Sequence, residues 1–411
     1  MDSPGTVKNH GWTVTLAAIG INLALGILYS WSVISKAIPK EWAWTESDKS
    51  LPYAVACLTF SLMMVPAGRL QDKIGPRFVA SAGGVLVGLG MILASFSTSP
   101  VMFMVGFGLL AGTGIGFGYA SATPPAVKWF PKEKVGLIAG LVVSGFGLAS
   151  VYTAPLTTWL AGQYGIGQTM LILGAAFLVV VVLLSQLLKA PPAGYNPNAK
   201  SAGAGAAAAP ADDYTPLEVL RTPQFYLLWF MYACGAGAGL MIIGKLAAIA
   251  QQQAGLALGF VLVAVLAIGN GAGRIAAGML SDKIGRKPTL FIAFVSQAVL
   301  IFLMSRAAAD NFLGNAVVLS LLSALIGANY GANLAIFPSI TKDFYGLKNF
   351  GVNYGLVFTS WGCGGFALAF AAGKVYDAYQ TFAVAFYGSI VLLIAAACVT
   401  FLLKAPKHRS A

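Results

Sequence analysis

Arg274 and Lys245 are the residues of this sequence whose chemistry most needs explaining. Each lies inside a run of apolar and small residues long enough to cross a bilayer. An Arg within a membrane span costs several kcal/mol and by default marks a functional site. Its guanidinium is a planar fork that matches one carboxylate with two parallel hydrogen bonds. Lys245 stands near the outer end of its run, where snorkelling to the surface competes evenly with a substrate or proton role. No Asp, Glu or His falls inside any apolar run. The candidates for carrying a proton are therefore a carboxylate held by Arg274, Lys245, a Tyr, or a boundary acid such as Asp377. The sequence has no nucleophile–base pair, metal-ligand cluster or phosphate-binding Gly loop, so we expect no enzyme, metal or cofactor. A sensor is disfavoured too, because the one long loop is rich in Ala, Gly and Pro and offers no output domain.

The elements that must hold these cations are membrane helices. Of the 411 residues 58% are hydrophobic and 9% charged, against about a quarter charged in soluble domains. A spanning helix needs about 20 apolar residues, and the pattern predicts twelve, at 12–35, 51–70, 78–97, 101–125, 134–158, 166–188, 225–251, 256–280, 288–306, 313–338, 350–373 and 380–403. With the N-terminus inside, 18 Lys and Arg fall on inner segments and 5 on outer ones. That bias puts both termini in the cytoplasm. The net charge of +12 is thus a topology signal and does not point to nucleic acid. Cys57, Cys234, Cys363 and Cys398 all lie in apolar runs and are expected to be reduced core thiols. The first eleven residues lack a cleavable signal pattern.

A repeat organises the spans. Gly68-Arg-Leu-Gln-Asp72-Lys73-Ile-Gly75-Pro-Arg77 ends the second span, and Gly278-Met-Leu-Ser-Asp282-Lys283-Ile-Gly285-Arg286-Lys287 ends the eighth, 210 residues later at every matched position. Pro124, Lys128 and Phe130 are echoed by Pro338, Lys342 and Phe344. Two halves repeated in one orientation are a transporter plan, with the site at the midplane between them. The expected fold is an all-α membrane protein with twelve transmembrane helices in two six-helix bundles. The expected domains are an N-terminal bundle 1–188, a cytoplasmic linker 189–224 and a C-terminal bundle 225–411. Asp72, Arg77, Asp282 and Arg286 are candidates for a charge latch that biases a rocking motion.

The duplicated loop is the signature of the major facilitator superfamily. Gly26-Ile-Leu-Tyr29-Ser-Trp31, Trp42-Ala-Trp44, Trp129-Phe130, Ser144-Gly145, Pro155-Leu156 and Asn353-Tyr354-Gly355 resemble the bacterial oxalate/formate antiporter family. That family is similar to the animal monocarboxylate (lactate) transporters. The resemblance covers nearly the whole chain outside the linker and implies transport of small carboxylate anions, with Arg274 at the family's helix-8 Arg. There are departures. The helix-11 Lys of the oxalate carriers is absent, Ser360-Trp361-Gly362 being its counterpart region. The helix-1 Lys of the animal carriers is absent, and their Asp one turn before the Arg is Asn270 here.

One fixed cation suits one carboxylate. The rest of the site should be apolar with a few hydroxyl or amide donors, and Leu28, Tyr29, Tyr119, Asn270, Tyr330, Asn333 and Phe358 are the candidates. Tyr119 and Tyr330 occupy similar depths in the repeat-related helices 4 and 10. The reading that follows is a monomeric carrier in a bacterial inner membrane, moving lactate- or pyruvate-like monoanions with protons by alternating access. The competing reading is carboxylate exchange, because an empty carrier with an unpaired Arg274 should reorient slowly.

Overall fold

The structure is a computed structural model and describes residues 9–192, 195, 213–257, 259–346 and 348–406. The Ala/Gly-rich part of the expected linker, 196–212, lies outside the described residues. Among the described residues every regular element is helical. Eleven continuous helical stretches are long and apolar enough to cross a membrane. One of them, Lys134–Ser185, has 52 residues. At ~1.5 Å per residue it would run ~78 Å, far beyond a hydrocarbon core of ~30 Å. It is in fact two helices, broken at Gly165 by φ 76° and ψ 168°, a conformation essentially reserved for glycine.

In chain order the twelve spans are α1 (Gly11–Lys36), α2 (Glu46–Ile74), α3 (Pro76–Ser95), α4 (Pro100–Val127), α5 (134–164), α6 (166–185), α7 (Pro223–Ala254), α8 (Gly259–Ile284), α9 (Arg286–Ser305), α10 (Ala316–Tyr345), α11 (Phe350–Tyr379) and α12 (Ala383–Leu402). The repeat is visible in the backbone. Gly75, between α2 and α3, has φ 92° and ψ 154°; Gly285, between α8 and α9, has φ 95° and ψ 160°.

Three helices outrun the apolar pattern. α2 begins at Glu46, not near 51, because Thr45 and Asp48 form a reciprocal capping box, which satisfies the first orphan N–H groups of a helix. α10 and α11 continue to Tyr345 and Tyr379, carrying their last turns into polar residues that hydropathy does not score as span. Glu46 and Asp377 therefore sit inside helices, although both lie outside the apolar runs. The expectation of four core thiols is corrected as well. Cys57 and Cys234 are buried, Cys363 is half-buried and Cys398 is exposed. An apolar helix meets lipid on one face, and a thiol is tolerated there.

Helices α8 and α10 pack closely, as do α3 with α6, α7 with α11 and α9 with α12. Small residues permit this, as expected where helices approach in lipid. A seam separates α1–α6 from α7–α12. Across it α2 packs against α11, α5 against α8, and α1 against α7. Because the number of spans is even, the described chain ends lie at one end of the bundle, called here the termini end.

Candidate functional site

Arg274 is placed by the glycines around it. Gly273 presses α8 onto Ala328 of α10 so tightly that a Cβ there would overlap the backbone. This fixes which face of α8 looks across the seam. From that face the half-buried guanidinium reaches α5, where Nη1 donates to the Val143 carbonyl at 2.9 Å. Its Nε donates to Oδ1 of Asn270, one turn back on α8, at 3.1 Å. A Cβ on Gly147 of α5 would stand 3.2 Å from Nη2, so this glycine makes room for the fork. The Tyr119 hydroxyl of α4 and the Tyr29 phenol are electrostatic neighbours of the guanidinium. Among the described residues no carboxylate pairs with Arg274. Asn270 is fully buried and its Nδ2 has no partner, so a donor is left over beside the cation.

A box of rings adjoins this charge. Tyr29 of α1 and Tyr330 of α10 join across the seam, hydroxyl to hydroxyl, at 2.6 Å. Trp361 of α11 donates its Nε1–H to the Tyr330 oxygen at 2.8 Å; an indole nitrogen can only donate. Phe60 of α2 sits among Tyr119, Phe146, Phe358 and Trp361, with ring centroids 5.1–5.6 Å away. Tyr119 stacks over Phe358 at 6.4 Å. Tyr29 meets Phe146 edge-on at 4.9 Å. Such arrangements suit the ring quadrupoles and add stability beyond area burial. These groups have the chemistry to hold a small anion: one fork for a carboxylate, phenol and amide donors, and aromatic side chains around them.

The structure thus gathers Arg274, Asn270, Tyr119, Tyr29, Tyr330 and Phe358 of the expected site. Leu28 is fully buried in the 3-10 stretch Gly26–Ser30 beside Tyr29. Asn333 is turned elsewhere. Its Nδ2 donates to the Asn329 carbonyl at 3.0 Å, and its Oδ1 faces Gly235 of α7. Phe60, Phe146 and Trp361 were not among the expected contacts, because aromatic residues in apolar spans carry no local sign of which face they occupy. The Val143 carbonyl is invisible to any reading of side chains.

Lys245 is not a snorkelling lysine. It is 3% exposed, and its Nζ donates to Glu46 Oε2 at 2.7 Å and to the Glu46 carbonyl at 3.1 Å. This pair crosses the seam at the end opposite the termini. Beside it the Asp377 carboxylate accepts from the backbone N–H groups of Glu46 at 2.8 Å and Ser47 at 2.9 Å, and from the Ser47 hydroxyl. Tyr53 donates to the Leu240 carbonyl at 3.1 Å. Lys36 donates to the Ala257 carbonyl at 3.0 Å. Toward the termini from Arg274, no hydrogen bond or ion pair between described residues crosses the seam.

The four latch candidates behave unequally. Arg286 bridges Asp282 at 2.6 Å and Asp343 at 3.1 Å, tying α8, α9 and α10 together. Arg77 instead donates from Nε to the Leu188 carbonyl at 3.1 Å, and among the described residues Asp72 accepts only from its neighbour Gln71 at 2.9 Å. The Asp343 counterpart, 214 residues earlier, is Trp129, which donates to the Lys189 carbonyl at 2.7 Å.

The family model of the Major Facilitator Superfamily matches residues 13–310 and 252–411. An uncharacterised transporter of that type from Escherichia coli strain K12, YhjX, is 31% identical over 88% of this chain and 87% of its own length. The oxalate:formate antiporter of Oxalobacter formigenes is 27% identical over 86% of this chain and 82% of its own. Monocarboxylate transporter 11 of Mus musculus is 29% identical over 66% of this chain and 60% of its own. Among solved structures, a bacterial homologue of the human lysosomal transporter Spinster, inward-facing and unoccupied, overlays with a TM-score of 0.69 at 16% identity, covering 96% of this chain and 97% of that one.

Proposed function

The chain belongs to the major facilitator superfamily and is a multi-pass membrane protein, and on that premise we propose that it is a secondary active transporter of small monocarboxylate anions of the lactate or pyruvate kind, coupled to protons. The observation that carries this reading is Arg274: a guanidinium at the seam, held by neutral partners, with no carboxylate paired to it among the described residues. One unmatched cation calls for one substrate carboxylate. A dianion would bring a second charge among aromatic side chains with no second fixed cation beside Arg274, and burying an unpaired charge is strongly unfavourable.

The units 1–188 and 225–411 act as two rocking bundles joined by the linker 189–224, and the anion binds between them. The basic loops make the termini end cytoplasmic, in a bacterial inner membrane, with the carrier working as a monomer. The seam, tied at one end and free at the other, then corresponds to the inward-facing half of an alternating-access cycle.

Exchange of carboxylates is the second reading, and one observation favours it. Arg274 in the empty carrier rests on Asn270 and a carbonyl, neither of which can neutralise it, so the empty form should return slowly. Uptake of labelled lactate, formate and oxalate into proteoliposomes, with and without a pH gradient, tests both. Monocarboxylate symport expects lactate accumulation driven by the gradient and poor oxalate uptake. Oxalate uptake equal to lactate would refute the single-cation argument, and uptake that needs internal carboxylate but ignores the gradient would replace symport with exchange.

A further inference from the structure

Among the described residues the Glu46–Lys245 pair shares no hydrogen bond or ion pair with the residues gathered around Arg274. Among the described residues it is the one ion pair that crosses the seam. It is also nearly dry, with side-chain exposures of 4% for Lys245 and 11% for Glu46. The other carboxylate oxygen of Glu46 takes Lys49 of its own helix at 2.9 Å. The charged and titratable groups facing Glu46 are thus Lys49 from α2, Lys245 from α7, and Asp377 with Tyr376 from α11. Asp377 holds the first turn of α2 by its N–H groups and touches neither lysine through an ion pair.

We propose that Glu46 is a proton-binding site whose protonation releases Lys245 and opens the end of the transporter opposite its termini. The inference rests on the alternating-access reading and adds to it the group that senses protons. With the seam closed, the Glu46 carboxylate faces two ammonium groups. When α7 and α2 part, Lys245 leaves and Lys49 alone remains, so the ionised form loses its main support. The proton accordingly binds better to the open form than to the closed one. A ligand that prefers one of two states populates that state. Acid therefore favours opening, and the proton leaves again when Lys245 returns. Without the proton, opening must separate a buried ion pair, which is strongly unfavourable when either charge is left unpaired.

The test measures opening directly and needs no substrate. Nitroxide labels are placed through Glu41→Cys and Gln252→Cys, exposed positions on the two sides of the seam, in full-length protein carrying Cys363→Ser and Cys398→Ser. Distances are recorded in lipid nanodiscs by double electron–electron resonance at neutral and acid pH. Acidification is expected to raise the long-distance population about threefold or more. Glu46→Gln should hold that population high at both pH values and erase the response. Lys245→Gln should also erase it, since no ion pair is left to break, and it serves if Glu46→Gln impairs folding. Asp377→Asn should keep the response. An acid response that survives in Glu46→Gln or Lys245→Gln overturns the proposal, and so does one lost only in Asp377→Asn. Failure of the monocarboxylate reading would appear in uptake and leave these distances unchanged, so the two claims fail separately.

Discussion

The two ends of the seam are built differently. Opposite the termini, α1, α2, α7 and α11 are joined by charge and by hydrogen bonds: Lys245 to Glu46, Asp377 to the first turn of α2, Lys36 to the Ala257 carbonyl. Deeper in, Tyr53 reaches Leu240 and Tyr29 reaches Tyr330. Toward the termini the ties stop at Arg274 and Val143. Charges are as plentiful at that end, yet they are spent within each half, as when Arg286 joins Asp282 and Asp343. The lesson is that closure depends on which helix a charge faces. A carbonyl or carboxylate on the far side of the seam makes a gate, and one on the same side makes a clamp.

Arg274 stands at the boundary between these regimes, and substitutions there should have the largest effect. Arg274→Ala is expected to abolish specific binding. Arg274→Lys should lose roughly 2–5 kcal/mol, the cost of breaking a desolvated charged pair, which is about 30-fold or more in affinity. A substrate titration on folded protein checks both. A Lys variant within about twofold of wild type, ~0.4 kcal/mol, would move Arg274 out of the site and reduce it to one more seam tie.

Next is Tyr53→Phe, which removes an uncharged tie from the closed end and leaves the charges alone. Losing one hydrogen bond of this kind costs about 1 kcal/mol, or about fivefold in the balance between closed and open forms. The label distances described above should lengthen at neutral pH and still respond to acid. If they do not lengthen at neutral pH, the hydroxyl contributes nothing to closure and the gate is electrostatic alone.

The smallest effects are expected at the two copies of the loop. Asp282 is 69% exposed on its side chain, and exposed ion pairs are worth about 0.2–1 kcal/mol. Asp282→Asn should slow maximal transport up to about fivefold with affinity nearly unchanged. Asp72→Asn should do less, since Asp72 meets no Arg among the described residues. Equal losses at both positions, or a loss of affinity at either, would mean that the loops act on the substrate site and are not clamps within their own halves.

Much of this molecule could be read along the chain. The spans follow from apolar length, and the repeat from Gly75 and Gly285, whose shared backbone shape only glycine adopts at low cost. Arg274 announces itself because a lone cation in an apolar run has no cheap alternative. Asp72 and Asp282, by contrast, match in sequence and differ in partners, because Pro76 stands where the other half has Arg286 and Trp129 where it has Asp343.

What the sequence determined by itself is local. Hydropathy, glycine geometry and charge counting each act over one helix or one loop, and a run of apolar residues must span whatever its neighbours are. The capping box Thr45–Asp48 was local too, and it is the signal that could have placed Glu46 in a helix. The tertiary structure alone decided that Lys245 would meet Glu46, 199 residues away, and that Tyr29 would meet Tyr330, 301 residues away. The physical reason is that an all-round apolar helix does not encode its own rotation. Close packing at small residues such as Gly273 against Ala328 sets which face turns to the seam, and only then do a lysine that could have snorkelled and an acid assigned to a loop become a buried pair.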